Sequence, residues 1–299
     1  VVSSTAEDRV LGRSTALVGE RGGKYPHGSS LLVRGGEETA IIDPSLSLYG
    51  RADRPSADRV ILSHCHEDHI AGLALYPEAR VDVHEADVVG LRSIDDMMAI
   101  YGYDEPIGSS FREAVLRDFH YAPRPDAVAY ADGAVFDLGG GVRVRVIHTP
   151  GHTRGHSCLF IEPDGVLYLG DIELSSFGPY YGDAWSDLED FERSLTLVRS
   201  LDARWYATFH HIGVLEGRDA YLERLDRFTA MIADRERRLL EFLAEPRTID
   251  EIVAHRFVYR PQDPVSFADP VERRSMSQHV DRLVAAGRVK REGDRVVRA

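Results

Sequence analysis

The chain has 299 residues, 43% of them apolar and 28% charged, with a formal net charge of −13. That mixture excludes a disordered or collagen-like chain, and the length allows one large core or a body with a smaller appendage. Residues 1–233 carry 22 Lys+Arg against 37 Asp+Glu, whereas residues 234–299 carry 14 against 12. So acidic a body is poorly suited to broad capture of nucleic-acid phosphates.

Residues 28–43 predict two short strands around a Gly-Gly turn. An apolar strand follows over 57–64, then a short helix in "EDHIAGLALYP" and a further strand in "ARVDVHEAD". Residues 91–132 interrupt the rhythm with two helical patterns separated at Pro106–Gly108, either a lid or an insertion packed on the body. Strands resume at 134–150, and 156–171 predicts a hairpin turning at Pro163–Asp164–Gly165. The periodicity of 187–201 predicts a helix capped by Asp187.

The final third changes character. A long helical pattern ends before Pro246, and two more helices precede a basic hairpin turning near Gly293–Asp294. The expected division is a catalytic domain over 1–218, with the helical insertion at 91–132, and a helical linker with a winged-helix-like domain over 219–299. The opening "VVSSTAEDRVLGRS" has no apolar signal core, and no stretch reaches the roughly 20 apolar residues that span a bilayer. The expected location is cytoplasmic, without membrane contact.

The densest chemistry lies in "SHCHEDHIAG" at 63–72, where His64, His66, Asp68 and His69 fall within six residues directly after a strand. A turn there can aim His64 and His66 at one ion and Asp68 and His69 at another. Imidazole and carboxylate suit zinc, iron or manganese. Three imidazoles and an acid at a core edge are costly unless something satisfies them. His152 in "HTPGHTRGHS" and Asp171 at the end of "GVLYLGD" reinforce the pattern by following it in order. His148 or His156 offers an outer hydrogen bond to a ligand, and Cys65 is expected to point away as a free thiol.

The run His64-Cys65-His66-Glu67-Asp68-His69 matches the H-x-H-x-D-H signature, and "PGHTRGH" and "YLGD" resemble the next two motifs, of the metallo-β-lactamase superfamily. The resemblance covers most of residues 10–217 and implies an α/β fold, an αββα sandwich with a dinuclear site at one edge of its two sheets. It implies that His64, His66 and His152 bind a first ion, that Asp68, His69 and a late histidine bind a second, and that Asp171 bridges them. "TFHHIGVLEG" offers His210 and His211; comparison with the family's G-H-G-P-V-I-E stretch selects His211. With its tail, the chain resembles the β-lactamase-like protein 2 and glyoxalase II-like subgroup.

The function this implies is a hydrolase in which two divalent metal ions, zinc first and iron or manganese as alternatives, sharpen a water against an ester, thioester, lactone or related acyl carbon. Asp68 is expected to orient that water or take its proton. Phe177, Tyr180, Tyr181 and Trp185 can wall a moderately apolar pocket, so the expected partner is a small acyl substrate, with self-association through the C-terminal domain and nucleic acid ranked lower. Three other readings are a single-strand endoribonuclease, an iron-dependent oxygenase or redox enzyme, and a non-catalytic nucleic-acid-binding regulator.

Overall fold

A computed structural model describes residues 7–263 and 265–299. Seven strands, β1 (Arg9–Leu11), β2 (Ser14–Leu17), β3 (Ser30–Arg34), β4 (Thr39–Ile42), β5 (Arg59–Ile61), β6 (Arg80–His84) and β7 (Val128–Tyr130), lie side by side in sequence order. Pairing is antiparallel up to β4 and parallel from β4 to β7. Six more, β8 (Val135–Asp137), β9 (Arg143–His148), β10 (Ser157–Glu162), β11 (Val166–Tyr168), β12 (Trp205–Ala207) and β13 (Val214–Glu216), form a second sheet, also in sequence order. The hairpin at Pro163–Gly165 forms with Leu159 opposite Tyr168.

Strand alternation builds the layers, because neighbouring side chains face opposite sides of a sheet. Leu31 and Val33 point inward and meet Val144, Val146 and Leu159 of the second sheet in one buried core. Leu32, between them, points outward under helices.

The helices are α1 (Glu20–Gly23, one turn), α2 (Glu67–Ile70), α3 (Ile94–Tyr101), α4 (Ile107–Arg117), α5 (Leu188–Ser200), α6 (Arg218–Phe242), α7 (Ile249–His255) and α8 (Ala268–Ala285). α3 and α4 bury Met97, Ile100, Phe111 and Val115 against the outer face of the first sheet. They form a packed layer of the body, and the segment 91–132 is not wholly helical because it ends in strand β7. Asp187 caps α5, its side chain accepting from the Asp190 backbone N–H at 2.8 Å. α5 and the first half of α6 cover the second sheet with Phe191, Leu195, Tyr221, Leu225 and Phe228. The result is helix, sheet, sheet, helix.

α6 continues past the body. Its residues Leu239 and Leu240, with Leu243, join Ile252, Met276, Val280 and Leu283 in a separate small core. A capping box at Thr248 and Glu251 starts α7. The strands β14 (Arg247–Thr248), β15 (Val289–Glu292) and β16 (Arg295–Arg298) close this C-terminal unit in the order β14-β16-β15. The helix that starts at Arg218 is rooted in both cores. Among the described residues, no helix is long and apolar enough to cross a membrane.

Candidate metal centre

After β5 the chain bends at Ser63 and runs without regular structure to His66, whose backbone is extended where α2 begins. The two-residue period sends His64 and His66 to one side and Cys65 to the other. Cys65 is buried and free, its sulfur 3.9 Å from that of Met97. The turn into α2 then presents Asp68 and His69, while the loops after β9, β11 and β12 bring His152, Asp171 and His210 to the same place. Gly170 is required just before Asp171: its φ is +52°, and a Cβ there would stand 2.7 Å from His156 Nε2.

Two sets of ligand atoms result, each within 4.8 Å of one another: His64, His66, His152 and Asp171, and beside them Asp68, His69 and His210. Asp171 faces both. Its Oδ2 lies 3.2 Å from His152 Nε2 and its Oδ1 lies 2.9 Å from His69 Nε2. Asp68 Oδ2 is 2.9 Å from His210 Nε2.

Four of the five imidazoles are steered by their other nitrogen. His64 Nδ1 is 3.0 Å from the Ser63 hydroxyl, and His69 Nδ1 is 2.8 Å from Asp43 Oδ2. His152 Nδ1 donates to the Tyr180 carbonyl at 3.0 Å, and His210 Nδ1 to that of Gly23 at 2.8 Å. Such outer bonds fix which nitrogen faces inward. The Nε2 atoms of His64, His66 and His152 are buried without a hydrogen-bond partner among the described residues. Three convergent orphaned lone-pair donors beside an acid fit a divalent cation, which would satisfy all of them.

The expectation of His211 as the late histidine is corrected by this geometry: the cluster takes His210. The His211 backbone turns at φ 57°, and its half-exposed ring has its nearest acid, Glu173, 3.9 Å away. His210 is 3% exposed. The other expected positions, His64, His66, Asp68, His69, His152 and Asp171, all lie in the cluster.

Electrostatics reflect crowding. Burial pushes His64 well below its ordinary value, helped by His69 and His152. Burial acts to raise Asp171, but His69 and His210 outweigh it and hold the acid well below the usual range. Burial and the neighbouring Asp68 lift Glu67 to about 7, against the hydroxyls of Tyr101 and Tyr25 that donate to it. Glu173 is likewise lifted to about 7, by burial first. His156 is pushed down to about 3 by burial and His152; its neutral ring accepts from the Asp171 backbone N–H at 3.1 Å.

Several contributors escaped sequence reading. Asp43 directly follows β4 in "IIDP", a strand-end acid with no histidine near it in the chain. Asp87 accepts from the Thr153 hydroxyl and the Gly155 N–H, both at 2.7 Å, and so holds the His152 loop. Glu67 sits inside the motif, where its spacer position disguised it. Tyr259 arrives from the C-terminal unit, its ring centroid 5.4 Å from that of Phe177.

The family model described as the Metallo-beta-lactamase superfamily matches residues 25–211. The chain belongs to the metallo-β-lactamase superfamily. It is 29% identical to human "Acyl-coenzyme A thioesterase MBLAC2" over 160 residues, 47% of this chain and 56% of that protein. It is 25% identical to the "Beta-lactamase-like protein 2 homolog" of Caenorhabditis elegans over 200 residues, 67% of this chain and 56% of that one. The chain thus spans about half the length of the curated relatives it matches. A crystal structure of a metallo-beta-lactamase family protein from Thermus thermophilus superposes with a TM-score of 0.70 at 24% identity, covering 96% of this chain and 99% of that one, and shares the fold including its C-terminal part.

Proposed function

We propose that this protein is a metal-dependent hydrolase of acyl thioesters, working with two divalent ions. The observation that carries the reading is the paired cluster, in which Asp171 turns one oxygen to each histidine set. His64, His66 and His152 would hold the first ion, Asp68, His69 and His210 the second, and Asp171 both. Zinc suits this nitrogen and oxygen donor set, with iron or manganese as alternatives. When bound, such a pair supplies a water ionised near neutral pH and a positive charge for the developing oxyanion.

The chain's own groups do the rest. Water adds to the thioester carbonyl, the carbon–sulfur bond breaks, and acid and thiol leave. Asp68 is tied through Oδ2 to His210, which leaves Oδ1 to orient the water, accept its proton and return it to the departing sulfur. Three aromatic-bearing segments stand around the centre: α3 with Tyr101, the following loop with Tyr103, and the 177–185 loop with Tyr180. These surfaces suit an acyl chain better than a polyanion.

Thioester chemistry is favoured over phosphodiester chemistry by two observations. A relative is named as an acyl-coenzyme A thioesterase. The cations of the C-terminal unit are largely matched by acids: Arg282 with Glu192 and Glu236, Arg273 with Asp250, Arg291 with Asp281, and Arg295 with Glu251. Little unpaired charge remains there for a phosphate backbone.

A parallel assay on thioesters, lactones, β-lactams and single-stranded RNA, with Asp68→Asn as control, tests the reading. Thioester hydrolysis lost in the variant is the expected result; cleavage of RNA alone would overturn it.

A further inference from the structure

The loop between Asp171 and α5 carries an acid that belongs to neither metal-binding set. Asp183 is 2% exposed. Its Oδ1 accepts from the hydroxyls of Tyr103 and Tyr180, each at 3.0 Å, and its backbone N–H donates to the Ser186 hydroxyl at 3.1 Å. Its Oδ2 is buried and stands 3.2 Å from His66 Nε2, and among the described residues neither atom has a hydrogen-bond partner. These two atoms are adjacent and desolvated, at ion-pair distance but without the alignment of a hydrogen bond. A buried carboxylate oxygen in that position needs a donor, as the imidazole needs a cation. One occupied site between them answers both needs.

The loop is fastened to the first histidine set and to the C-terminal unit. Tyr180 accepts from His152 Nδ1 through its carbonyl, and the Ser186 hydroxyl donates to the His152 carbonyl at 2.8 Å. From α8, Gln278 donates to the Tyr181 carbonyl at 2.9 Å and accepts from the Leu188 N–H at 2.7 Å. Gly182 lies so close on Val271 that a Cβ would come within 2.3 Å of its Cγ1. From α6, Arg235 donates to the carbonyls of Pro179 and Phe177 at 2.5 and 2.7 Å.

We propose that Asp183 is a further carboxylate of the first metal subsite, beside the place where His64, His66 and His152 would hold an ion, and that the C-terminal unit sets its position through Gln278. Asp183 stands outside the tight group that includes Asp171, so its free oxygen would reach the ion through an intervening hydrogen-bond donor. It is a positioning residue: the negative oxygen fixes the direction of that donor and adds charge to the subsite. This rests on the metal-binding part of the proposed function and not on its substrate.

The test uses the full chain loaded with cobalt(II), without substrate. Asp183→Asn keeps the shape of the side chain and removes its charge. The expected result is a changed visible cobalt spectrum and a first-ion affinity weaker by about 10–100-fold in competition with a chelating dye, as for outer partners of metal ligands. Gln278→Ala, which touches no metal-binding residue, should move both readouts in the same direction by less. A wild-type spectrum and affinity in Asp183→Asn overturns the proposal. If that variant does not fold, the same null result in Gln278→Ala overturns it. A wild-type protein that binds cobalt but cleaves no thioester sinks the substrate reading alone.

Discussion

Asp43 Oδ2 stands 2.8 Å from His69 Nδ1, with the Tyr168 hydroxyl donating to the same oxygen at 2.9 Å, and both residues of the pair are fully buried. The other carboxylate oxygen accepts from the Ser63 N–H at 2.7 Å. One strand-end acid thus holds His69 and the start of the histidine motif together. Asp43→Asn removes the charge while tolerating the positive φ of 48° at this position. We expect second-ion affinity to drop by about 10–100-fold, measured by zinc retained against a chelator. Unaltered retention would mean that the bond orients nothing of consequence.

The late histidines separate cleanly. His210→Ala should remove a second-ion ligand and lower kcat/KM by more than the roughly 10–100-fold typical of outer positions. His211→Ala should change it little. Metal counting on both purified variants decides the matter: a loss in His211→Ala with full occupancy in His210→Ala reverses the assignment.

A charged knot joins α6 to α8. Hydrogen bonding to His279 and Arg282 pulls Glu236 down to about 2, against burial, and Arg288 adds a contact at 3.0 Å. Because the folded value lies below the unfolded one, the contribution is present above about pH 4.5 and disappears as pH falls toward 2. Glu236→Gln should therefore lower Tm at pH 7, and its deficit relative to wild type should shrink between pH 4.5 and 2. A deficit constant across that window would show that the carboxylate charge is not its source.

Gly28 lies against the Phe209 ring, so that a Cβ would come within 1.9 Å of it. That ring in turn stacks on His69, with centroids 3.7 Å apart. Gly28→Ala should cost about 1–3 kcal/mol through overpacking and weaken second-ion binding with it. Calorimetry and metal titration read the two effects; a lower Tm with unchanged affinity would uncouple the ring from the site.

Much of this was legible because the residues proposed to hold metal cluster in the chain. Between Ser63 and His69, alternation and a short turn are local facts, so His64, His66, Asp68 and His69 could be read directly. The hairpin at Pro163–Gly165 and the cap at Asp187 were legible for the same reason. His210 was not, since two adjacent histidines differ only in how the backbone turns between them, and φ at His211 depends on the loop's tertiary contacts. Asp43, Asp87 and Asp183 meet their partners across 26, 66 and 117 residues respectively, distances at which periodicity says nothing. The long helix expected to link the two parts is α6, a continuous pattern whose buried stripe changes partner midway.

That shared helix makes dissection of the chain hazardous. Removing everything from Arg218 onward would uncover the places where Tyr221, Leu225 and Phe228 lodge, whereas starting a fragment after Phe242 would deprive the small bundle of Leu239 and Leu240. Neither piece keeps a whole interior. Heating should accordingly give one transition rather than two, with the distal helices surviving only as long as the sandwich to which their rod is anchored.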